Sequence, residues 1–260
     1  HSIHRYTPST KQHATASLDK KISFLIPIEG RTNQFLAGMC NELNIITWDG
    51  VSSKIDTIET FSKLNNNATT LNDGKADSLG NLWTGSYATD LDLSTFTPAR
   101  GCLYSLNCDK LKTHANNIGV SNGIAFCNHL KKLYFIDSHL QGVDQFDYNA
   151  ETQAVENRET LFTLKKHGVE GWPDGLTIDA DGNLWLAVFQ DSKVIKIDAT
   201  KPETLLNTIE MPEQQITSVA FGGKNLDELY VTTGGLKIPG AKDDRPLHGY
   251  LYKVTDLGTK

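Results

Sequence analysis

Apolar residues along this chain come in short runs, rich in β-branched and aromatic side chains, and most are closed by Gly, Asn or Asp. That is the pattern of strands separated by turns. It predicts strands over residues 22–28, 35–39, 45–48, 133–136, 194–197, 228–232 and 250–254. Helical periodicity is nearly absent: the best window, 151–164, has few apolar anchors at helical spacing and reads as a loop or a hairpin arm. The longest apolar run, 184–189, falls far short of the ~18 residues a membrane helix needs. No linker or composition break interrupts the pattern, so residues 1–260 are expected to form a single domain.

Above the strand pattern lies a longer period. Leu71-Asn-Asp-Gly-Lys-Ala-Asp77 followed by Gly80-Asn-Leu-Trp83 recurs as Trp172-Pro-Asp-Gly-Leu-Thr-Ile-Asp179 followed by Gly182-Asn-Leu-Trp185. A third copy is Ser121-Asn-Gly-Ile-Ala-Phe126 with Leu133-Tyr-Phe-Ile136, and a fourth is Thr217-Ser-Val-Ala-Phe221 with Leu229-Tyr-Val231. Asp73 and Asp174 are 101 residues apart; the pairs Asp73-Gly74, Asn122-Gly123 and Asp174-Gly175, read as polar turns, follow one another at 49 and 52 residues. A period near 50 with about four strands per repeat is the signature of a β-propeller. A two-sheet sandwich would place turns every ~8–12 residues without this longer beat. Inner strands of a propeller begin at one face of the central channel, so Asn72, Asp73, Asn122, Asp174 and Thr217 are expected to ring the axis. Oxygen side chains converging on a point suit a hard divalent cation.

Composition narrows the function classes. With 25 Lys and Arg against 31 Asp and Glu, the formal net charge is −6, which excludes the clustered basic surface of a nucleic-acid binder. A hydrophobic content of 38% spread over the whole length excludes a disordered chain. The expected partner is a small-molecule substrate, with no nucleic acid, no membrane, and a monomeric state. Cys40, Cys102, Cys108 and Cys127 show no C-x-x-C spacing and read as buried thiols in a reducing, cytoplasmic setting. His1–Tyr6 lacks the basic head and apolar stretch of a secretory leader, and Asn67-Ala-Thr69, although a sequon, reads as part of a polar loop.

Several local motifs fail on context. Gly119-Val-Ser-Asn-Gly123 matches the nucleophile elbow, but that motif needs a helix after it, and Ile124-Ala-Phe126 reads as a strand, so Ser121 is not taken as a nucleophile. Asp179-Ala-Asp-Gly182 opens like a calcium-binding EF-hand loop, yet its twelfth position is Gln190 rather than a bidentate Glu. No His pair has metal-site spacing. Trp83 and Trp185 occupy equivalent strand positions and are assigned to the core, whereas Trp172, beside Asp174, is a candidate for stacking on a substrate.

The segments 71–75, 80–85, 121–123, 133–138, 173–175, 218–223 and 225–231 together resemble the SMP-30/gluconolactonase/luciferin-regenerating-enzyme family, which includes regucalcin. The wording of 46–51, 184–190 and 225–231 is most similar to its luciferin-regenerating branch. The resemblance implies a six-bladed propeller of four-stranded blades holding one divalent metal (Ca, Mg, Mn or Zn) on a Glu, an Asn and an Asp. By that resemblance Asn122 and Asp174 are metal ligands, Asp174 is also the catalytic base, Asn72 contacts the substrate or a metal-bound water, and Thr70 and Asp90 fall at substrate-contact positions, to which Trp172 is added by its place beside Asp174. It implies metal-dependent hydrolysis of oxyluciferin, releasing a cyano-hydroxybenzothiazole that condenses with cysteine to luciferin. A lactonase or esterase of the gluconolactonase kind, or a non-catalytic calcium-binding regulatory propeller, is the alternative.

Two departures stand out. The family's Glu belongs to an E-G-P-like turn upstream of His1–Tyr6, so the ligands within the chain are fewer and less anionic, and calcium affinity follows ligand charge. Lactone-processing members usually carry Arg where this chain has Thr70, so the guanidinium fork that reads polar hydroxyls is missing. At about 50 residues per blade, 260 residues give about 5.2 blades, so the first blade is expected to be incomplete and the end at 257–260 reads as clipped.

Overall fold

The computed structural model describes residues 1–107, 110–236 and 249–258; Cys108 lies outside them. The chain divides into two compact units, His1–Val120 and Ser121–Lys260. Both are built of antiparallel strands hydrogen-bonded in sequence order, which is how short strands with tight turns pair at the lowest loop cost.

The first unit opens with a two-stranded hairpin, β1 (Ser2–Thr7) and β2 (Gln12–Ser17). A four-stranded sheet follows, β3 (Ile22–Pro27), β4 (Gln34–Met39), β5 (Glu42–Thr47) and β6 (Thr57–Lys63), and then a second, β7 (Thr69–Ala76), β8 (Leu82–Ala88), β9 (Gly101–Asn107) and β10 (Lys110–Ile118). Apolar side chains fill the space between successive sheets. Ile3 and Ala16 of the hairpin pack with Met39, Ile46 and Trp48, while Phe24 and Leu43 pack with Leu71, Leu82 and Tyr104.

The second unit has two four-stranded sheets and one of three strands. They are β11 (Ser121–Cys127), β12 (Lys132–Asp137), β13 (Gly142–Asn149) and β14 (Ala154–Thr163); β15 (Trp172–Ile178), β16 (Leu184–Phe189), β17 (Lys193–Ile197) and β18 (Leu205–Glu210); and β19 (Ile216–Gly222), β20 (Glu228–Thr233) and β21 (Leu251–Val254). Tyr134, Ile136 and Leu161 meet Leu176, Leu186 and Ile195, and Trp185 and Val194 meet Ile216, Val219 and Val231. The ambiguous window 151–164 is the hairpin arm β14, paired along its length with β13. Among the described residues no helix is long and apolar enough to cross a membrane.

The sheet count corrects one expectation. Instead of six four-stranded blades, the described residues form five blade sheets, four of four strands and one of three, and the β1–β2 hairpin. Among the described residues the five sheets begin at Ile22, and the hairpin β1–β2 precedes them.

The true tight turns are those between the first and second strands. Asp77 accepts from the backbone N–H of Leu79 and Asn81 at 2.9 Å each, with Gly80 in the left-handed region at φ +81°. Asp179 repeats this, accepting from Asn183 N at 2.7 Å with Gly182 at φ +86°. Its other oxygen accepts from Trp185 Nε1 at 2.9 Å and pairs with Lys196 Nζ at 2.9 Å, so this carboxylate is a hairpin cap and not a calcium ligand. Trp83 and Trp185 are fully buried, Trp83 stacked on His114 with ring centroids 4.5 Å apart.

Candidate functional site

The first strands β7, β11 and β15 carry a bulge at the same place. Leu71 pairs with Ser86 and Gly74 with Thr84, leaving Asn72 and Asp73 against the single residue Gly85. Ser121 pairs with Asp137 and Ile124 with Phe135, leaving Asn122 and Gly123 against Ile136. Pro173 pairs with Val188 and Leu176 with Leu186, leaving Asp174 and Gly175 against Ala187. A bulge turns a side chain out of the ladder, and bulges are over-represented beside active sites.

This geometry corrects the reading of the Asp-Gly and Asn-Gly pairs as turns and shifts their alignment. Gly74, Gly123 and Gly175 lie within strands, and none is among the glycines with positive φ that a two-residue hairpin turn would demand. Asp77 and Asp179, Gly80 and Gly182, and Trp83 and Trp185 are each 102 residues apart, so the counterpart of Asp174 is Asn72 and not Asp73. Asn72, Asn122 and Asp174 therefore head the three bulges.

What the glycines provide is close approach. A Cβ on Gly123 would stand 2.7 Å from Leu176 N and 2.8 Å from the carbonyl oxygen of Asp174; one on Gly175 would stand 2.5 Å from Ser218 Oγ. In the second unit the strands bearing Asn122, Asp174 and Thr217 thus press backbone to backbone on one another. Within the first unit it is a side chain that fills the space: a Cβ on Gly74 would stand 2.8 Å from the ring of Phe24.

Asn122 is buried and its orientation is fixed by a residue the sequence reading did not single out. Its Nδ2 donates to Ser138 Oγ at 2.6 Å, and Ser138 Oγ donates to the carbonyl oxygen of Pro173 at 2.6 Å. A carbonyl only accepts, so the single hydroxyl proton goes to Pro173 and Ser138 must accept from the amide nitrogen. Oδ1 of Asn122 is consequently turned away from Ser138. The same chain of bonds ties Asn122 to the residue preceding Asp174. The only sequence hint was that Ser138 closes the segment 133–138.

The remaining candidates fall as follows. Trp172 is half-buried and tilted against Phe189, with centroids 6.5 Å apart. In the first unit, Thr70 donates its hydroxyl to the carbonyl of Cys40 at 3.0 Å. Asp90 makes a two-pronged, exposed ion pair with Arg100, both contacts 3.0 Å. Ser121 starts a strand with no helix behind it, as its exclusion as a nucleophile required.

The family description for the SMP-30/gluconolactonase/LRE-like region matches residues 1–235. Human regucalcin is 32% identical over 259 residues, covering 98% of this chain and 84% of its own. The chain belongs to the SMP-30/gluconolactonase/LRE-like family. A luciferin-regenerating enzyme of known structure superposes with a TM-score of 0.96 at 48% identity, covering 100% of this chain and 85% of that one. A regucalcin from Agrobacterium tumefaciens shares the fold at a TM-score of 0.82 and 21% identity, covering 97% and 82%. The fold is an all-β propeller.

Family resemblance implies one divalent ion, and the donor set can be judged for fit. Asn122 Oδ1 and the Asp174 carboxylate are hard oxygen donors on neighbouring strands that are tied through Ser138 and whose backbones meet at Gly123. They suit Ca, Mg or Mn better than Zn, which favours nitrogen and sulfur. Among the described residues no three His, Cys, Asp or Glu side chains gather as a metal group would. The residues fit a hard cation in kind, with a small share of its ligands.

Beside Asn72, Asp73 carries a perturbed carboxyl. Desolvation pushes its pKa up to about 6, against the pull of Lys75, whose own pKa burial pushes down. A carboxyl whose pKa is raised on folding binds more protons folded than unfolded, so stability falls as pH rises between its unfolded value near 4 and about 6. Allowing for the partial exposure of the side chain, the loss across that window is up to roughly 2 kcal/mol. Asp73→Asn should therefore stabilise the protein at pH 7.5 and not at pH 4, as read by urea midpoints at the two pH values. Equal midpoint differences at both would show that Asp73 is not desolvated.

Proposed function

We propose that this chain is a hydrolase of an electrophilic ring carbonyl with oxyluciferin as its substrate. The observation that carries this reading is the 48% identity to a luciferin-regenerating enzyme across the whole chain. Thr70 supports it: a neutral hydroxyl already engaged by Cys40 offers no cationic fork for the hydroxyls of a sugar lactone.

In this reading Asp174 accepts the proton of the attacking water, while Asn122, oriented by Ser138, presents its carbonyl oxygen beside it. A divalent cation held by Asn122 and Asp174 would polarise the substrate carbonyl. Trp172 stacks on the flat substrate, and Asn72, Thr70 and Asp90 keep the substrate contacts that the family resemblance gives them. Addition of one water and loss of the ring C–N and C–S bonds convert oxyluciferin into the cyano-hydroxybenzothiazole and mercaptoacetate, which balances all atoms. The nitrile then condenses with cysteine. The reading includes a single-domain monomer acting on a small molecule, and the free thiols Cys40, Cys102 and Cys127 fit a reducing, cytoplasmic setting.

A lactonase is the second reading, favoured by the family match itself. One assay separates them. Purified protein is given oxyluciferin and a panel of lactones, with EDTA and with Ca, Mg, Mn or Zn restored singly. Nitrile release from oxyluciferin, lost in EDTA and recovered with a hard cation, is expected. Turnover of lactones alone would replace the substrate, and chelator-insensitive turnover would remove the cation.

A further inference from the structure

Lys20 and Lys21 are neighbours in sequence with different fates. Lys20 is neutralised by Glu42 at 2.5 Å, and Glu42 also faces Lys63 at 3.6 Å. Lys21 has no carboxylate partner among the described residues. Its Nζ donates to the hydroxyl of Tyr87 at 2.5 Å and lies 5.2 Å from the centre of that ring.

The backbone sets this placement. Cys40, at φ +53°, donates its N–H to the carbonyl of Lys21 at 3.0 Å. The carbonyl of Cys40 accepts from Leu71 N at 2.7 Å and from the Thr70 hydroxyl at 3.0 Å. One residue thus ties the start of β3 to β7. Across the ladder, Tyr87 is the register partner of Thr70, two residues from the Asn72 bulge. Main-chain bonds therefore fix the backbone of Lys21 beside β7 and that of Tyr87 opposite Thr70, and the Lys21 ammonium, with no carboxylate to neutralise it, rests on the Tyr87 hydroxyl and ring. The tyrosine hydroxyl uses one of the three donors of the ammonium.

We propose that Lys21 and Tyr87 are specificity-determining residues that select a planar aromatic substrate bearing an acidic oxygen, a phenolate or enolate, over neutral polyhydroxy lactones. The ammonium receives the acidic oxygen in a charge-assisted hydrogen bond, and the Tyr87 ring packs on the flat ring system. This rests on the substrate class proposed above and names what reads it.

The test separates binding from turnover. Calorimetry measures hydroxybenzothiazole and its methyl ether on wild type, Lys21→Met, Lys21→Arg and Tyr87→Leu, alongside steady-state kinetics on oxyluciferin. Wild type should bind the free hydroxyl compound more tightly than the ether. Lys21→Met should weaken that compound about tenfold, leave the ether within twofold and raise KM with kcat little changed. Lys21→Arg should recover most of the loss, and Tyr87→Leu should weaken both probes. Equal affinity of wild type for the two probes, no binding of either, or a Lys21→Met variant indistinguishable from wild type would overturn the assignment. Discrimination between the probes without turnover of oxyluciferin would keep the recognition pair and remove the hydrolase reading instead.

Discussion

Asp174→Asn is expected to lower hydrolysis of the responsive substrate by about 10²- to 10⁴-fold, the range that a positioned general base supplies. The variant keeps the size and shape of the side chain while removing its charge and its basicity. Asp174 is half-buried at the head of a bulge, so the thermal midpoint should move by a few degrees at most. Asn122→Ala should also lose activity. Ser138→Ala should lose less, about tenfold, because it frees the orientation of the Asn122 amide without removing Oδ1. That ordering is informative: a purely structural role for Ser138 would lower the thermal midpoint with kcat/KM of the folded fraction unchanged. Asp174→Asn with rates within twofold of wild type would remove the base assignment.

The same residues show what a sequence can reveal. The strands, the repeat near 50 residues and the all-β class were legible, because alternation and turn residues are local properties. Asn122 and Asp174 were legible as a pair because equivalent positions in successive repeats stand out by spacing. The nature of the Asp-Gly and Asn-Gly pairs was not. A bulge and a turn both use Asn, Asp and Gly, and the choice between them depends on whether another strand presses on the glycine, which is a long-range fact. Ser138 and Lys21 escaped for a related reason. Ser138 acts 16 residues from Asn122, and Lys21 reaches Tyr87 66 residues away, so neither shows any local pattern.

Gly123→Ala is expected to destabilise the protein by about 3 kcal/mol or more, through a contact with nowhere to relax. The added methyl meets Leu176 N at 2.7 Å and the Asp174 carbonyl at 2.8 Å, besides the Cβ of Leu176. Two of these are backbone atoms of a strand that is itself paired to β16, so neither can move alone. The thermal midpoint should fall on the order of 10 °C. Gly80→Ala is the control, because a Cβ there meets nothing within 4 Å and pays only for its left-handed φ of +81°, about 1 kcal/mol. Any Gly123→Ala protein that folds has displaced β15 relative to β11, and with it Asp174 relative to Asn122. Its activity per folded molecule should fall as well, while that of Gly80→Ala should not. A Gly123→Ala midpoint equal to that of Gly80→Ala would mean that the two bulges do not meet at this glycine. The close pairing of Asn122 with Asp174 would then lose its structural basis.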